Sequence, residues 1–120
     1  MGEPKKPRTD AIAEFFAELG QRGHEPLLAK AKGSARFDIA AGKRTERWRL
    51  TIDRGDLRVS RQNAGADCVL RIDRPTFERA VKGKLNLMAA ALRGELTMAG
   101  DARLLVLLQR LFPRPSRRRR

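Results

Sequence analysis

Hydrophobic and polar positions change period twice along this chain. Ile12, Phe15, Phe16 and Leu19 recur at helical spacing behind Thr9 and Asp10, whose side-chain oxygens suit a helix N-cap. Gly20 and Gly23 close that helix. Residues 26–31 predict a second short helix with Leu27 and Leu28 buried, ended by Gly33. Period two then takes over. Phe37 and Ile39 alternate with Arg36 and Asp38; Trp48, Leu50 and Ile52 with Arg47, Arg49, Thr51 and Asp53. Leu57 and Val59 alternate with Arg58 and Ser60; Cys68, Leu70 and Ile72 with Asp67, Val69 and Arg71. These are strands buried on one face only. The turn signals Ala41-Gly42, Arg54-Gly55-Asp56 and Asn63-Ala64-Gly65 separate them, and the short gaps make the first three an antiparallel meander. Helical spacing returns at Pro75, behind Asp73 and Arg74, with Phe77, Ala80 and Val81 as the apolar stripe and Gly83 as the stop. Residues 85–92 form a more apolar helix closed by Gly94. Leu96 and Met98, alternating with Glu95, Thr97 and Ala99, form a fifth strand, and Gly100-Asp101 opens a last helix to Phe112, stopped by Pro113. The fold class is α+β. One-sided strands require helices on the dry face of the sheet only.

The chain has 120 residues, 41% hydrophobic, which is one domain with an ordinary core. No apolar run is long enough to span a membrane and none follows the opening lysines, so the expected location is cytoplasmic. Acid–base chemistry has little material: one histidine, His24, and no tyrosine. Ser34, Ser60 and Ser116 lack a nearby base in the pattern. Cys68 points inward with Leu70 and Ile72, and as the one cysteine it excludes an internal disulfide. Asp53, Asp56, Asp67 and Asp73 lack the spacing of a metal loop. No catalytic residue, metal or cofactor is expected.

Charge adds a partner class. The net charge is +13, with five of these charges in 113–120 and two in the first nine residues, leaving +6 on 10–112. Residues 1–9 read as a disordered basic leader, 10–112 as the folded domain and 113–120 as an arginine-rich disordered tail. On the wet sheet face the alternation gathers Arg36, Arg47, Arg49, Arg58 and Arg71, diluted by Asp38, Glu46 and Asp67. With Arg117, Arg118, Arg119 and Arg120 these form the expected contact with an anionic surface, a membrane periphery included. No aromatic residue falls on that face, so specific nucleic-acid binding is not expected.

The last helix is apolar almost all round, with Leu104, Leu105, Val106, Leu107 and Leu108 in succession. Helix 85–92 is similar. Together they exceed what one sheet face needs for cover. The surplus predicts an apolar pocket or a partner, and Met88, Met98 and three consecutive alanines suit an adaptable lining.

The run Ala66-Asp67-Cys68-Val69-Leu70-Arg71-Ile72, then Thr76-Phe77, Gly83-Lys84-Leu85, Leu92-Arg93-Gly94-Glu95-Leu96 and Gly100-Asp101 before an apolar helix, resembles the sterol carrier protein 2 family. Trp48 on its alternating strand and Gly55 before a short third strand fit the same pattern. The resemblance covers roughly 10–112 and is to a stand-alone bacterial-type member. It implies a five-stranded mixed, mostly antiparallel sheet with an apolar tunnel between sheet and C-terminal helices. It also implies non-enzymatic binding of a hydrophobic small molecule: a sterol or polycyclic isoprenoid, a fatty acid or an acyl-CoA. By position the lining would be Phe77, Val81, Leu85, Met88, Leu92, Leu96, Met98, Leu104, Leu108 and Leu111. The sequence departs from the peroxisomal Ser-Lys-Leu ending, and no fused enzyme domain is expected. A monomer is expected over a dimer. A dimerisation or protein-interaction module using 104–112, and non-specific nucleic-acid binding by the basic face, remain the alternative readings.

Overall fold

A computed structural model describes residues 10–113; residues 1–9, expected as a basic leader, and 114–120, with Arg117, Arg118, Arg119 and Arg120 of the expected anionic contact, lie outside the described residues. The chain runs α1 (Ala11–Arg22), β1 (Lys32–Ala41), β2 (Arg44–Asp53), β3 (Asp56–Ser60), β4 (Cys68–Asp73), α2 (Arg74–Val81), α3 (Leu87–Leu92), β5 (Leu96–Gly100) and α4 (Ala102–Gln109). The sheet order is β3-β2-β1-β4-β5. β1 pairs antiparallel with β2 and parallel with β4, so the sheet is mixed, with its single parallel pair at the centre. The meander of the first three strands is present as the turn signals predict.

Local chemistry sets the helix ends. Asp10 caps α1 by accepting from Ile12 and Ala13, and Gly23 ends it in the left-handed conformation at φ +67°. Asp73 caps α2, where Pro75 occupies a first-turn position that has no use for its missing N–H. Three boundaries differ from the pattern. The element expected at 26–31 is only a 3₁₀ turn, Pro26–Leu28, in which Leu28 is buried while Leu27 is 62% exposed. A three-residue turn has room to direct only one of them inward. The helix expected from 85 starts at Leu87, because Asn86 takes the cap and accepts from Ala89. The final helix stops being α at Gln109. Arg110, Leu111 and Phe112 donate to Leu107, Leu108 and Gln109, a tighter i→i−3 pattern that leaves both Leu111 and Phe112 buried.

The register gives each sheet face its character. Phe37 pairs with Trp48 and Leu70, Ala35 with Leu50 and Cys68, and Leu70 with Met98. These side chains lie under the helices. All five phenylalanines and the one tryptophan meet there. Phe16 of α1 stacks on Trp48 with centroids 4.5 Å apart and lies nearly parallel to Phe77 of α2 at 5.9 Å. Phe112 stacks on Phe15 at 4.5 Å and meets Phe77 edge-on. The guanidinium of Arg61 covers the Trp48 ring at 4.1 Å. Glu46, expected among the arginines of the wet face, lies instead on the helix side. It sits opposite Ile39 in the register, and it accepts from Trp48 at 2.7 Å and from Arg74 at 2.7 Å. Its distance of two residues from Trp48 puts it on the same face, and Arg74 supplies its counter-charge.

Among the described residues no helix is long and apolar enough to cross a membrane. The edge strand β5 meets β4 where Gly100 lies opposite Cys68, at φ +103°. A methyl there would overlap the Asp67 carbonyl, which accepts from Asp101 at 2.8 Å to start α4. Gly100→Ala is expected to lower the unfolding free energy by about 3 kcal/mol, read from urea denaturation, because both the backbone conformation and the space exclude a side chain.

Candidate functional site

An open cleft of about 710 Å³ lies between α1, the end of α2 and the segment after α4. Its apolar wall is Phe15, Val81, Leu111 and Phe112. Ala11 and Ala17 leave the α1 bank low, while Glu14, Glu18, Gln21 and Arg22 on one side and Lys82 and Arg110 on the other form a polar rim. The cleft is thus apolar at its wall and charged at its rim.

Of the residues expected to line a ligand site, Val81 and Leu111 border this cleft. Phe77 stands directly behind it, in contact with Phe15 and Phe112. Leu85, Leu96, Leu104 and Leu108 are buried in the same layer between sheet and helices, and Met88 and Met98 are half-buried at its edge. Leu104 closes on the β1 backbone at Gly33, where an added Cβ would stand 3.1 Å from its methyls. Leu92 differs from the rest: it is 81% exposed at the end of α3 and faces solvent rather than the layer. The contribution of α1 was not foreseen from the pattern. Its signal was present in the small residues Ala11 and Ala17 on the polar side of an otherwise acidic helix surface.

The opposite sheet face carries the arginines in the predicted arrangement, with unequal roles. Asp38, 6% exposed, sits at the centre. Arg36 grips it with two bonds of 2.8 and 3.0 Å and donates a third to the Ala64 carbonyl at 3.1 Å. The hydrogen bond to Asp38 raises the Arg36 guanidinium above its ordinary value. Arg49 bonds the Gly65 carbonyl at 3.2 Å and Thr51 at 3.1 Å. Arg36 and Arg49 thus fasten the loop 61–67 that crosses from β3 to β4. The Nε atoms of Arg47 and Arg71 lie 3.6 and 3.9 Å from Asp38, and Arg58 is exposed. The pattern also gave no warning of Arg74. It reaches Asp10 at 2.6 Å, Glu46 at 2.7 Å and Glu78 at 3.4 Å, joining α1, β2 and α2.

The remaining reactive groups do not converge. His24 bonds Asp56 at 2.7 Å on the exposed side of the β3 edge. Ser34 meets only Asp67. Cys68 is fully buried, and burial, reinforced by Asp101 and Asp67, pushes its thiol up to about 11.

The chain matches the model of the SCP-2 sterol transfer family over residues 14–113. No curated protein matches it. Among solved structures it is similar to sterol carrier protein 2 from Yarrowia lipolytica in its apo form, at 22% identity and a TM-score of 0.67, over 87% of this chain and 92% of that one. It is similar to sterol carrier protein 2 from Aedes aegypti in complex with palmitate, at 19% identity and a TM-score of 0.63, over 86% of this chain and 94% of that one. A sec-alkylsulfatase from Pseudomonas also shares the fold, at 22% identity and a TM-score of 0.66, but the match covers 85% of this chain and only 16% of the enzyme.

Two measurements check the chemistry of this region. With its thiol near 11, Cys68 holds about one part in a thousand as thiolate at pH 8. Ellman's reagent is therefore expected to leave the native protein unmodified at that pH and to titrate one thiol in denaturant. Asp38→Asn removes the counter-charge of three arginines, two of them partly in solvent, and is expected to cost about 2 kcal/mol in chemical denaturation.

Proposed function

Since the chain belongs to the SCP-2 sterol transfer family, we propose that it is a non-enzymatic carrier for a hydrophobic, lipid-like ligand. The class is that of a fatty acid, an acyl-CoA or a polycyclic isoprenoid such as a sterol. The observation that carries this reading is the cleft of about 710 Å³ with an apolar wall of Phe15, Val81, Leu111 and Phe112. The palmitate in the similar Aedes aegypti protein supports an acyl chain as one member of the class.

In this reading the apolar body of the ligand enters between α1 and the segment after α4. It lies against Val81 and Leu111 and reaches toward Phe77, Leu85, Met88, Leu96, Met98, Leu104 and Leu108. Each buried methylene contributes about 0.8 kcal/mol before ordering costs. The two half-buried methionines supply side chains that change shape cheaply. The polar end of the ligand stays at the rim. The wall that must give is the short segment 110–112, held by single-turn hydrogen bonds rather than by a continuing helix.

Native mass spectrometry of gently purified protein is expected to show a discrete added mass that organic extraction removes. An empty spectrum together with no displacement of a fluorescent fatty-acid probe would sink the proposal. Ala17 is exposed on the cleft bank, so Ala17→Trp is expected to fill the cleft without unfolding the helix. Its probe affinity should fall about tenfold or more while Tm holds.

A further inference from the structure

The two edges of the sheet are guarded unequally. At β3 the segment 23–25 covers the edge: the Leu57 N–H donates to the Gly23 carbonyl at 2.9 Å, and the Glu25 N–H donates to the Gly55 carbonyl at 2.8 Å. Asp56 and Arg58 add charge along that strand. Covering segments and charged side chains are what natural edges use against pairing with another chain. β5 forms the other edge, beside β4 alone. Its five residues, Leu96–Gly100, include no charge and no proline.

The direction of the β5 backbone groups follows from its neighbour. Asp101 donates to the Asp67 carbonyl, the residue opposite it when the β4–β5 register is continued. Bonded and open pairs alternate in an antiparallel ladder. Ala99 with Val69 and Thr97 with Arg71 are therefore the bonded pairs, and Leu96, Met98 and Gly100 turn their N–H and C=O groups away from β4. Among the described residues nothing lies hydrogen-bonded on that side of β5. Thr97 and Ala99 are exposed, and Met98 is half-buried.

We propose that two copies of the chain join β5 to β5, antiparallel about a two-fold axis at Met98, so that their sheets run on as one. In that register Met98 lies opposite its own copy, Thr97 opposite Ala99, and Leu96 opposite Gly100, which has no side chain to crowd it. The outward groups of Leu96, Met98 and Gly100 then bond one another across the axis. Charge balance selects the partner. Arg93 is paired with Glu95 at 2.7 Å and Asp101 with Arg103 at 3.1 Å, so both ends of β5 are neutral within each copy. The axis sets the first pair against the second. An acidic or a basic partner finds no unmatched counter-charge at this edge, whereas a second copy needs none. The net charge of +13 repels at long range, and salt screens that repulsion. The hydrophobic pattern, from which a monomer is expected, reveals a strand and not whether it lies at an edge. No residue that lines the cleft belongs to β5, so the junction leaves the cleft open and stands apart from the carrier reading.

The test is sedimentation velocity of the full chain over a dilution series in about 0.3 M NaCl, where charge repulsion reaches only a few ångström. A dimer that dissociates on dilution is expected. Thr97→Glu combined with Ala99→Glu sets carboxylates opposite one another across the axis and should raise the dissociation constant about tenfold or more. Thr97→Glu combined with Ala99→Lys sets opposite charges there and should stay within about threefold of the parent. Both positions are exposed, and the new carboxylate at 97 faces Arg71 within its own sheet, so the fold is kept, as circular dichroism verifies. If the first variant does not fold, Met98→Pro serves: it removes an outward N–H that β4 does not use and should weaken the dimer about tenfold. A parent that stays monomeric at about 1 mM overturns the proposal. So does a dimer that both charge variants leave intact, or that both weaken equally. Failure of the carrier reading appears separately, as a parent chain that takes up no fatty-acid probe whatever its sedimentation.

Discussion

Phe37, at the middle of the central strand, is the seat on which the helix layer rests. Phe16, Phe77 and Phe112 reach it from α1, α2 and the C-terminal segment, and Trp48 lies beside it in the register. A parallel pair, β1 with β4, places the buried Leu70 on its other side, so the seat is framed by a half-buried and a buried neighbour. Rings packed at 4.5–6.4 Å lock three segments far apart in sequence to one point of the sheet. The cleft inherits its position from that arrangement, because two of its walls, Phe15 and Phe112, belong to the same cluster.

Charge finishes what the rings begin. Arg74 holds Asp10, Glu46 and Glu78 together and so fixes the start of α1, the first part of the tryptophan-bearing strand β2 and the first turns of α2. On the other side of the sheet, Asp38 collects three arginines and Arg36 passes the constraint on to the crossing loop. Both are small networks around one centre of opposite sign, where pairing offsets the cost of partial burial. They also separate two kinds of arginine that the sequence presents as one. Arg36, Arg49 and Arg74 are parts of the fold. Arg58, Arg71, Arg93 and Arg103 are more exposed, the last three each beside an acid.

How much of this was legible in advance follows from the range of each interaction. The five strands, the cap at Asp10 and the helix start at Pro75 are local and periodic, and they appear where the pattern puts them. The position of α3 depended on Asn86 taking the cap, which leaves Leu85 outside the helix, a competition between neighbours that periodicity does not weigh. Glu46 was misassigned because its charge was read without its parity with Trp48. Leu92 belongs to an apolar run, but a helix of six residues turns only part of that run inward. The apolar lining residues were identifiable as buried. Their meeting with α1 was not, because no local signal connects residues 11–18 with 110–113 across the whole length of the chain.

Under the proposed carrier reading, the double membership of Phe112 would set a rule of selection. It is at once a wall of the cleft and a ring stacked on Phe15 at 4.5 Å. Any guest that pushes the wall back must first loosen that stack, a toll of about 0.5–1.5 kcal/mol that is the same for every guest. The return grows with length, at about 0.8 kcal/mol for each methylene buried. A fixed threshold set against a proportional gain rejects short chains and passes long ones. For the proposed carrier this would make length, more than shape, the property that selects a guest.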